Sequence, residues 1–121
     1  MARLAEDIRH ACEAIGFFYI RNHGVAGDLI DNAFAQSRRF HALPLAEKQK
    51  IPQDAHNIGY LPINASMQRH STVHQATKPN QNESYFVTHD RGPDHPDVIN
   101  GTPLRGGNYW PENLPGFREG V

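Results

Sequence analysis

The sequence has a single cysteine, almost no net charge and no long apolar run. One cysteine, Cys12, excludes an internal disulfide, and a formal net charge of −1 gives no electrostatic footprint for nucleic acid or an acidic membrane surface. No stretch has the length and apolar character of a signal peptide or a membrane span. We therefore expect a protein of the reducing cytoplasm with neither nucleic acid nor membrane as a partner, in which Cys12 packs into the core as a small hydrophobe.

Apolar residues are also scarce in the second half of the chain. The residues from 52 to 116 are rich in Pro, Gly, Asn, Gln and His, and such a segment can hardly build a core alone. At 121 residues the chain is one domain at most. The composition predicts an ordered region from about 1 to 51 and an irregular region from 52 to 121.

A short apolar run bounded by glycines lies between two helical patterns. Apolar residues recur at helical spacing from Leu4 to Ile15, which predicts an amphipathic helix that ends at Gly16. The aromatic and β-branched residues of Phe17–Ile20 predict a buried strand. Asn22-His23-Gly24 predicts a turn, because Asn and Gly tolerate left-handed dihedrals. His23 is interpreted as a turn residue and not as a base, since no nearby Ser or Cys forms a nucleophile pair with it.

A second helix is predicted from Asp28, as its N-cap, to about Ala42. Its apolar residues cover close to half of its circumference, which is wider than a surface helix needs and indicates burial against two different surfaces. Pro44 interrupts this helix and can open a short helical turn over residues 45–48.

Only two further segments have strand character, near 58–61 and 83–87. The fold class is therefore predicted as α+β, with a helix-strand-helix core over residues 1–51 and irregular structure with short strands over 52–121. The region from Arg91 to Gly107 carries several Gly and Pro residues and is predicted to be a loop.

The sharpest metal-ligand candidate is His95-Pro96-Asp97, a His-x-Asp step of the kind that begins a two-His-one-carboxylate iron site. Pro96 cannot donate to a strand ladder, no histidine follows His95, and Asp and Pro are common turn residues. We therefore reject His95 and Asp97 as ligands and assign no metal site and no catalytic residue. A weaker rival is a histidine-rich metal binder that combines His95 with upstream histidines, namely His70, His74 and His89.

Three other polar or aromatic positions are interpreted structurally. Glu83 adjoins an apolar strand and is either a perturbed general acid or, as we prefer, a strand-terminal carboxylate satisfied by backbone donors. The segment from Lys48 to Lys50 is predicted to be a solvated charged face. Trp110 is predicted to anchor core packing.

Several short motifs occur in an order that is more specific than any one of them. They are ACEAIGFF (11–18), NHGV (22–25), FHALP (40–44), EK (47–48), GY (59–60), NESYF (82–86), NYWP (108–111) and LPGFR (114–118). In this order and spacing the chain resembles, over nearly its whole length, the N-terminal region of the isopenicillin N synthase-like oxygenases.

The resemblance implies a fold, a cofactor pair and a partner. Members of that family are non-haem iron(II) enzymes, mostly dependent on 2-oxoglutarate. Their N-terminal region packs on a double-stranded β-helix, or jelly-roll, barrel that carries a His-x-Asp, a distant His and an Arg-x-Ser. In this chain His95-Pro96-Asp97 comes too early to match, and Arg69-His70-Ser71 precedes everything that an Arg-x-Ser should follow.

On this resemblance we expect a truncated chain that lacks the barrel and forms the non-catalytic N-terminal domain of an iron(II)/2-oxoglutarate-dependent oxygenase. It would bind neither cofactor alone, its partner would be the missing barrel, and the complete enzyme would act on a small-molecule substrate. The alternative function is a stand-alone interaction module that docks onto a partner or a separately encoded barrel. By position in the family Tyr60 is a candidate for the edge of the substrate pocket, and the rival interpretation is that Tyr60 packs a strand against the barrel.

Overall fold

The computed structural model describes residues 2–67 and 75–121. The chain divides into two compact units, a first one up to Ile30 and a second one from Asp31 to Val121, and each is described by itself. Helices and a two-stranded sheet make up the regular structure of the described residues, in keeping with the α+β prediction. Among these residues no helix combines the length and the apolar character that a membrane crossing needs.

The first unit begins with the predicted amphipathic helix. Helix α1 spans Ala2–His10 and continues as a π-helical segment over Ala11–Ile15. The segment ends at Gly16, whose φ of 96° lies in the left-handed region and whose N–H donates to the carbonyl of Ala11 at 2.8 Å. Glycine reaches this dihedral without the steric penalty that a Cβ would bring, so it ends the helix as predicted.

The predicted strand at Phe17–Ile20 is absent, and this prediction is wrong for the described residues. The four side chains are 48 to 89% exposed. A strand needs a neighbour for its backbone N–H and C=O groups, and the sheet within residues 2–67 and 75–121 consists of two strands from much later in the chain. High β-propensity therefore produces no strand without a partner. Cys12 is likewise exposed and not in the core as predicted.

The turn after this run forms as predicted. Asn22 and Gly24 have φ values of 57° and 78°, and the Val25 N–H donates to Nδ1 of His23 at 3.1 Å. His23 thus stabilises the turn with its own side chain.

Helix α2 spans Gly27–His41, close to the predicted bounds. Asp28 lies inside its first turn instead of capping it, where its charge still favours the positive end of the helix dipole. Helix α3, Leu45–Lys48, follows with Pro44 as its N-cap. A short helix, α4, spans Pro96–Ile99 within the region that was predicted to be only a loop, and α5 spans Phe117–Gly120.

The sheet pairs β1, Gly59–Leu61, with β2, Ser84–Phe86, in antiparallel register with Tyr60 opposite Tyr85. Both strands lie within the segments of predicted strand character. The preceding loop runs along the other side of β1, where the Tyr60 N–H donates to the carbonyl of Ile51 at 2.8 Å. This close approach requires Gly59, whose φ is 111° and where a Cβ would lie 2.6 Å from the carbonyl oxygen of Pro52.

An aromatic cluster forms the core of the second unit. Phe40, Tyr60 and Phe117 are buried, and the rings of Phe40 and Tyr85 stack with centroids 4.3 Å apart. Trp110 packs against the cluster with its centroid 6.2 Å from that of Phe117, which confirms its predicted role. Aromatic pairs at these distances contribute beyond the area that they bury.

Gly59→Ala should destabilise the second unit by about 2 kcal/mol or more, because it combines a strained positive φ with a clash against backbone. Urea unfolding followed by Trp110 fluorescence measures this. Gly92→Ala is the matched control, since a Cβ there meets nothing within 4 Å, and it should leave stability nearly unchanged. Equal effects of the two substitutions would contradict the packing described around Gly59.

Candidate functional site

A tightly hydrogen-bonded set of polar side chains surrounds Glu83. The carboxylate precedes β2, and its partners come from three other elements: His41 from the end of α2, Lys48 from the end of α3 and Tyr60 from the middle of β1. We call these four residues the Glu83 cluster. They bring together chain segments that are up to 42 residues apart.

Each of the two carboxylate oxygens of Glu83 has two polar partners. The Lys48 ammonium donates to Oε1 at 3.0 Å and to Oε2 at 2.8 Å. The Tyr60 hydroxyl donates to Oε2, and Nδ1 of His41 lies 3.0 Å from Oε1. Lys48 also donates to the carbonyl of His41 at 3.3 Å, so all three of its N–H groups have acceptors. The ammonium of Lys48, the carboxylate of Glu83 and the hydroxyl of Tyr60 are therefore all engaged within the cluster.

Burial makes this pairing necessary. The Lys48 side chain is only 8% exposed, and a buried ammonium without a counter-ion would be strongly unfavourable. The Lys48 ammonium also lies 5.4 Å from the centre of the Tyr60 ring. Glu83 thus supplies the negative charge that allows a lysine to be buried here.

The contacts fix the protonation states of Glu83 and Tyr60. Hydrogen bonds from Lys48, and then from Tyr60, lower the pKa of Glu83 to about 2 against the opposing effect of burial. Burial, followed by the hydrogen bond to Glu83 and its charge, raises the pKa of Tyr60 to about 12. At neutral pH Glu83 is ionised and Tyr60 is a neutral phenol, so neither group is poised to transfer a proton.

Two interpretations from sequence are corrected by this geometry. Glu83 is not a general acid, since its pKa is lowered and not raised, and its partners are side chains instead of the expected backbone donors. Lys48 is not part of a solvated face, whereas Lys50 is exposed and pairs with Glu47 at 2.7 Å. The sequence offered a partial signal, an acidic residue directly before an apolar strand, but nothing in it identified His41 or Lys48 as partners.

Tyr60, the candidate for a pocket edge, lines a cavity of about 320 Å³ together with Lys48, Glu83 and three apolar residues, Leu45, Pro62 and Ile63. Its side chain is nevertheless only 1% exposed, and its hydroxyl is used by Glu83. In this structure Tyr60 contributes to the core, and its place at a substrate pocket stays a prediction.

His95 caps a helix, and the carboxylate of Asp97 pairs with arginines. Nδ1 of His95 accepts the N–H of Asp97 at 3.1 Å, with Pro96 as the first residue of α4. The Asp97 carboxylate faces Arg105 at 3.2 Å and Arg91 at 3.6 Å. A carboxylate held by two guanidinium groups beside an imidazole that already caps a helix does not fit an iron ligand pair.

No group of three or more His, Cys, Asp or Glu side chains suited to a metal ion occurs within residues 2–67 and 75–121. The described donor set therefore does not fit an iron(II) centre. His70, His74 and the Arg69-His70-Ser71 sequence lie outside the described residues.

Comparisons with known proteins place the chain beside iron- and 2-oxoglutarate-dependent enzymes. Residues 1–113 match the family described as "non-haem dioxygenase in morphine synthesis N-terminal". The chain is 33% identical over 120 residues to the 2-oxoglutarate-Fe(II) type oxidoreductase hxnY of Emericella nidulans, an alignment that covers 98% of this chain and 33% of that protein.

Two other relatives show the same pattern. A 2-oxoglutarate-Fe(II) type oxidoreductase of Aspergillus fumigatus is 33% identical, with 98% of this chain and 34% of that protein covered. The clavatol oxidase claD of Penicillium crustosum is 36% identical, with 88% and 33% covered. The chain spans about one third of the length of these relatives.

Glu83→Gln should remove a pH dependence of stability. Glu83 has a pKa of about 2 in the folded chain and an ordinary value of 4.5, so the unfolded state binds the proton more readily. The stabilisation is therefore complete above about pH 4.5 and is lost as the pH falls through about 2, with a size of about 2 kcal/mol after allowance for solvent screening. Urea unfolding at several pH values below 5 measures it.

In this experiment Glu119→Gln, a change to an exposed glutamate outside the cluster, is the control and should keep the pH dependence of the wild type. The same pH dependence in wild type and Glu83→Gln would contradict an ionised, tightly bound Glu83.

The pair Lys48–Glu83 should show strong energetic coupling. Lys48→Met leaves the Glu83 carboxylate without its main partner, Glu83→Gln leaves a buried ammonium, and the double variant leaves neither, so we expect a coupling free energy of about 1 kcal/mol or more. The pair Lys50–Glu47, whose side chains are 59% and 28% exposed, is the matched control and should couple by less than about 0.5 kcal/mol. Thermodynamic cycles from urea unfolding give both values, and equal coupling would argue against the special role of burial.

Proposed function

Because the chain belongs to the family of non-haem dioxygenase N-terminal domains, we propose that it is the non-catalytic N-terminal portion of an iron(II)/2-oxoglutarate-dependent oxygenase. The observation that carries this proposal is the extent of the alignments, in which nearly the whole chain corresponds to about one third of each relative. The family named in the sequence resemblance is thereby confirmed, whereas the inactivity of the isolated chain is part of the proposal.

The described residues support a structural role over a catalytic one. In the Glu83 cluster the carboxylate of Glu83 accepts the hydroxyl of Tyr60, and the pKa values of these two groups, about 2 and about 12, lie far from neutral. The His95 and Asp97 side chains are used by a helix cap and by arginines. In the complete enzyme iron(II) and 2-oxoglutarate would activate dioxygen, and we propose that residues outside this chain hold both of them.

We further propose that the partner of the second unit is the catalytic barrel of that oxygenase. The contact surface would be the groove between α2 and β2, which is lined by Ala33, Ser37, Tyr85 and Val87 above the buried rings of Phe40 and Phe117. Exposed apolar residues at the groove support this, because Val87 is 39% exposed and Val121, which also lines the groove, is 52% exposed. Of the apolar arc of α2, Phe40 is buried in the core, whereas Phe34 is 61% exposed and does not line this groove.

A chimera tests this function. The 121-residue chain replaces the aligned third of the Emericella nidulans relative, and iron-dependent conversion of 2-oxoglutarate to succinate is measured for the chimera and for the chain alone. We expect turnover by the chimera and none by the chain. Turnover by the purified chain alone would contradict the proposal.

The same assay tests the proposed contact. Val87→Lys in the chimera should lower turnover about tenfold or more, because it places a charge in the apolar groove. Ile99→Lys is the matched control, since Ile99 is equally apolar and 69% exposed but lies outside the groove.

Addition of the chain to the remaining two thirds of the relative as a separate polypeptide tests the alternative function, a module that docks onto a separately encoded barrel.

A further inference from the structure

The groove between α2 and β2 contains an imidazole among its apolar side chains. His41, the last residue of α2, lines the groove together with Val87, Phe117 and Val121. The His41 side chain is 33% exposed, so part of its ring is open to whatever covers the groove. A ring nitrogen that becomes buried on covering needs a hydrogen-bond partner there.

Glu83 determines which nitrogen of His41 carries the proton. Nδ1 of His41 lies 3.0 Å from Oε1 of Glu83. The pKa of Glu83 is about 2, so at neutral pH its carboxylate can only accept hydrogen bonds and Nδ1 must be the donor. Such a contact selects one tautomer of a neutral imidazole, and the lone pair is then left on Nε2.

Nε2 of His41 is thus an acceptor available to a partner. Of the two ring nitrogens, only Nδ1 has a hydrogen-bond partner within residues 2–67 and 75–121. The lone pair of Nε2 is directed away from Nδ1, and hence away from Glu83, by the geometry of the ring. A surface that covers the groove without a donor for this lone pair would bind about tenfold more weakly than one that supplies it.

The position of Val121 favours the remaining chain as the occupant of the groove. Val121 is the last residue of the sequence, lines the groove and is 52% exposed. In the proposed oxygenase this chain is the N-terminal third, so the polypeptide of the other two thirds begins at the groove. A segment attached at this place has a high effective concentration there, which favours it over an unlinked partner.

We propose that the barrel portion of the complete oxygenase donates a hydrogen bond to Nε2 of His41 when it covers the groove. This inference rests on the proposed function, because that function supplies the covering segment. It adds the chemistry of the partner surface, which carries an N–H or O–H group opposite His41 beside its apolar contacts with Val87 and Val121.

The chimera of this chain with the Emericella nidulans relative tests the inference, with ¹⁵N-labelled histidine and two-bond ¹H–¹⁵N NMR spectra at pH 8. These spectra distinguish a protonated ring nitrogen from one with a lone pair, and a lone pair that accepts a hydrogen bond shifts towards the protonated value. In the 121-residue chain alone Nδ1 of His41 should be protonated and Nε2 should carry the lone pair. In the chimera the Nε2 signal should shift by several ppm towards the protonated value, while Nδ1 stays protonated.

His41→Asn identifies the signals and separates the two contacts of the ring. The asparagine amide can still donate to Glu83 but has no group in the place of Nε2, so turnover of 2-oxoglutarate by the chimera should fall about tenfold. His89→Asn is the matched control, since His89 is exposed and does not line the groove, and it should leave turnover unchanged.

An active chimera in which the Nε2 signal equals that of the chain alone would overturn the inference and leave the proposed function intact. A proton on Nε2 in the chain alone, or full turnover by the His41→Asn chimera, would also overturn it. An inactive chimera would overturn both, because no covering segment would then be in place. The comparison of the unsubstituted chain with the unsubstituted chimera decides independently of the activity of the variant.

Discussion

The ion pair between Lys48 and Glu83 is the constraint on which the second unit depends. Lys48 is buried at the end of a four-residue helix, and a lysine in that position requires a carboxylate at hydrogen-bonding distance. Glu83 meets this requirement only if β2 pairs with β1 in the observed register, with the Tyr60 hydroxyl directed at the same carboxylate. The position of one charge thus links the end of α2, helix α3 and both strands.

The sequence predicts the parts of this fold that depend on local chemistry. Gly16 ends a helix, Pro44 begins one, and the strand-forming residues around Tyr60 and Tyr85 lie in strands, because dihedral preference and side-chain shape act at the residue itself. What depends on distant residues is not predictable in this way. The sequence predicts a surface lysine at position 48. Only the structure shows that its ammonium lies 2.8 Å from Oε2 of Glu83, a residue 35 positions later in the chain.

The wrong prediction at Phe17–Ile20 has the same origin. Its residues favour an extended backbone, yet a strand is a property of two segments, and the described residues contain no second segment for it. In the candidate site, too, features that depend on neighbouring residues could be predicted and contacts between distant residues could not. The order of motifs indicated the family, and the loop character of His95-Pro96-Asp97 was visible from its proline, whereas the partners of Glu83 were not.

The ionisation state of Glu83 in the folded chain is decisive. An ionised carboxylate can hold four chain segments together, whereas a protonated one could take part in proton transfer. The most direct test of this state is a ¹³C NMR titration of the Glu83 side-chain carboxyl group. We predict a midpoint near pH 2, in accordance with the pKa of about 2 that its contacts impose. A midpoint at or above the ordinary value of 4.5 would contradict the account.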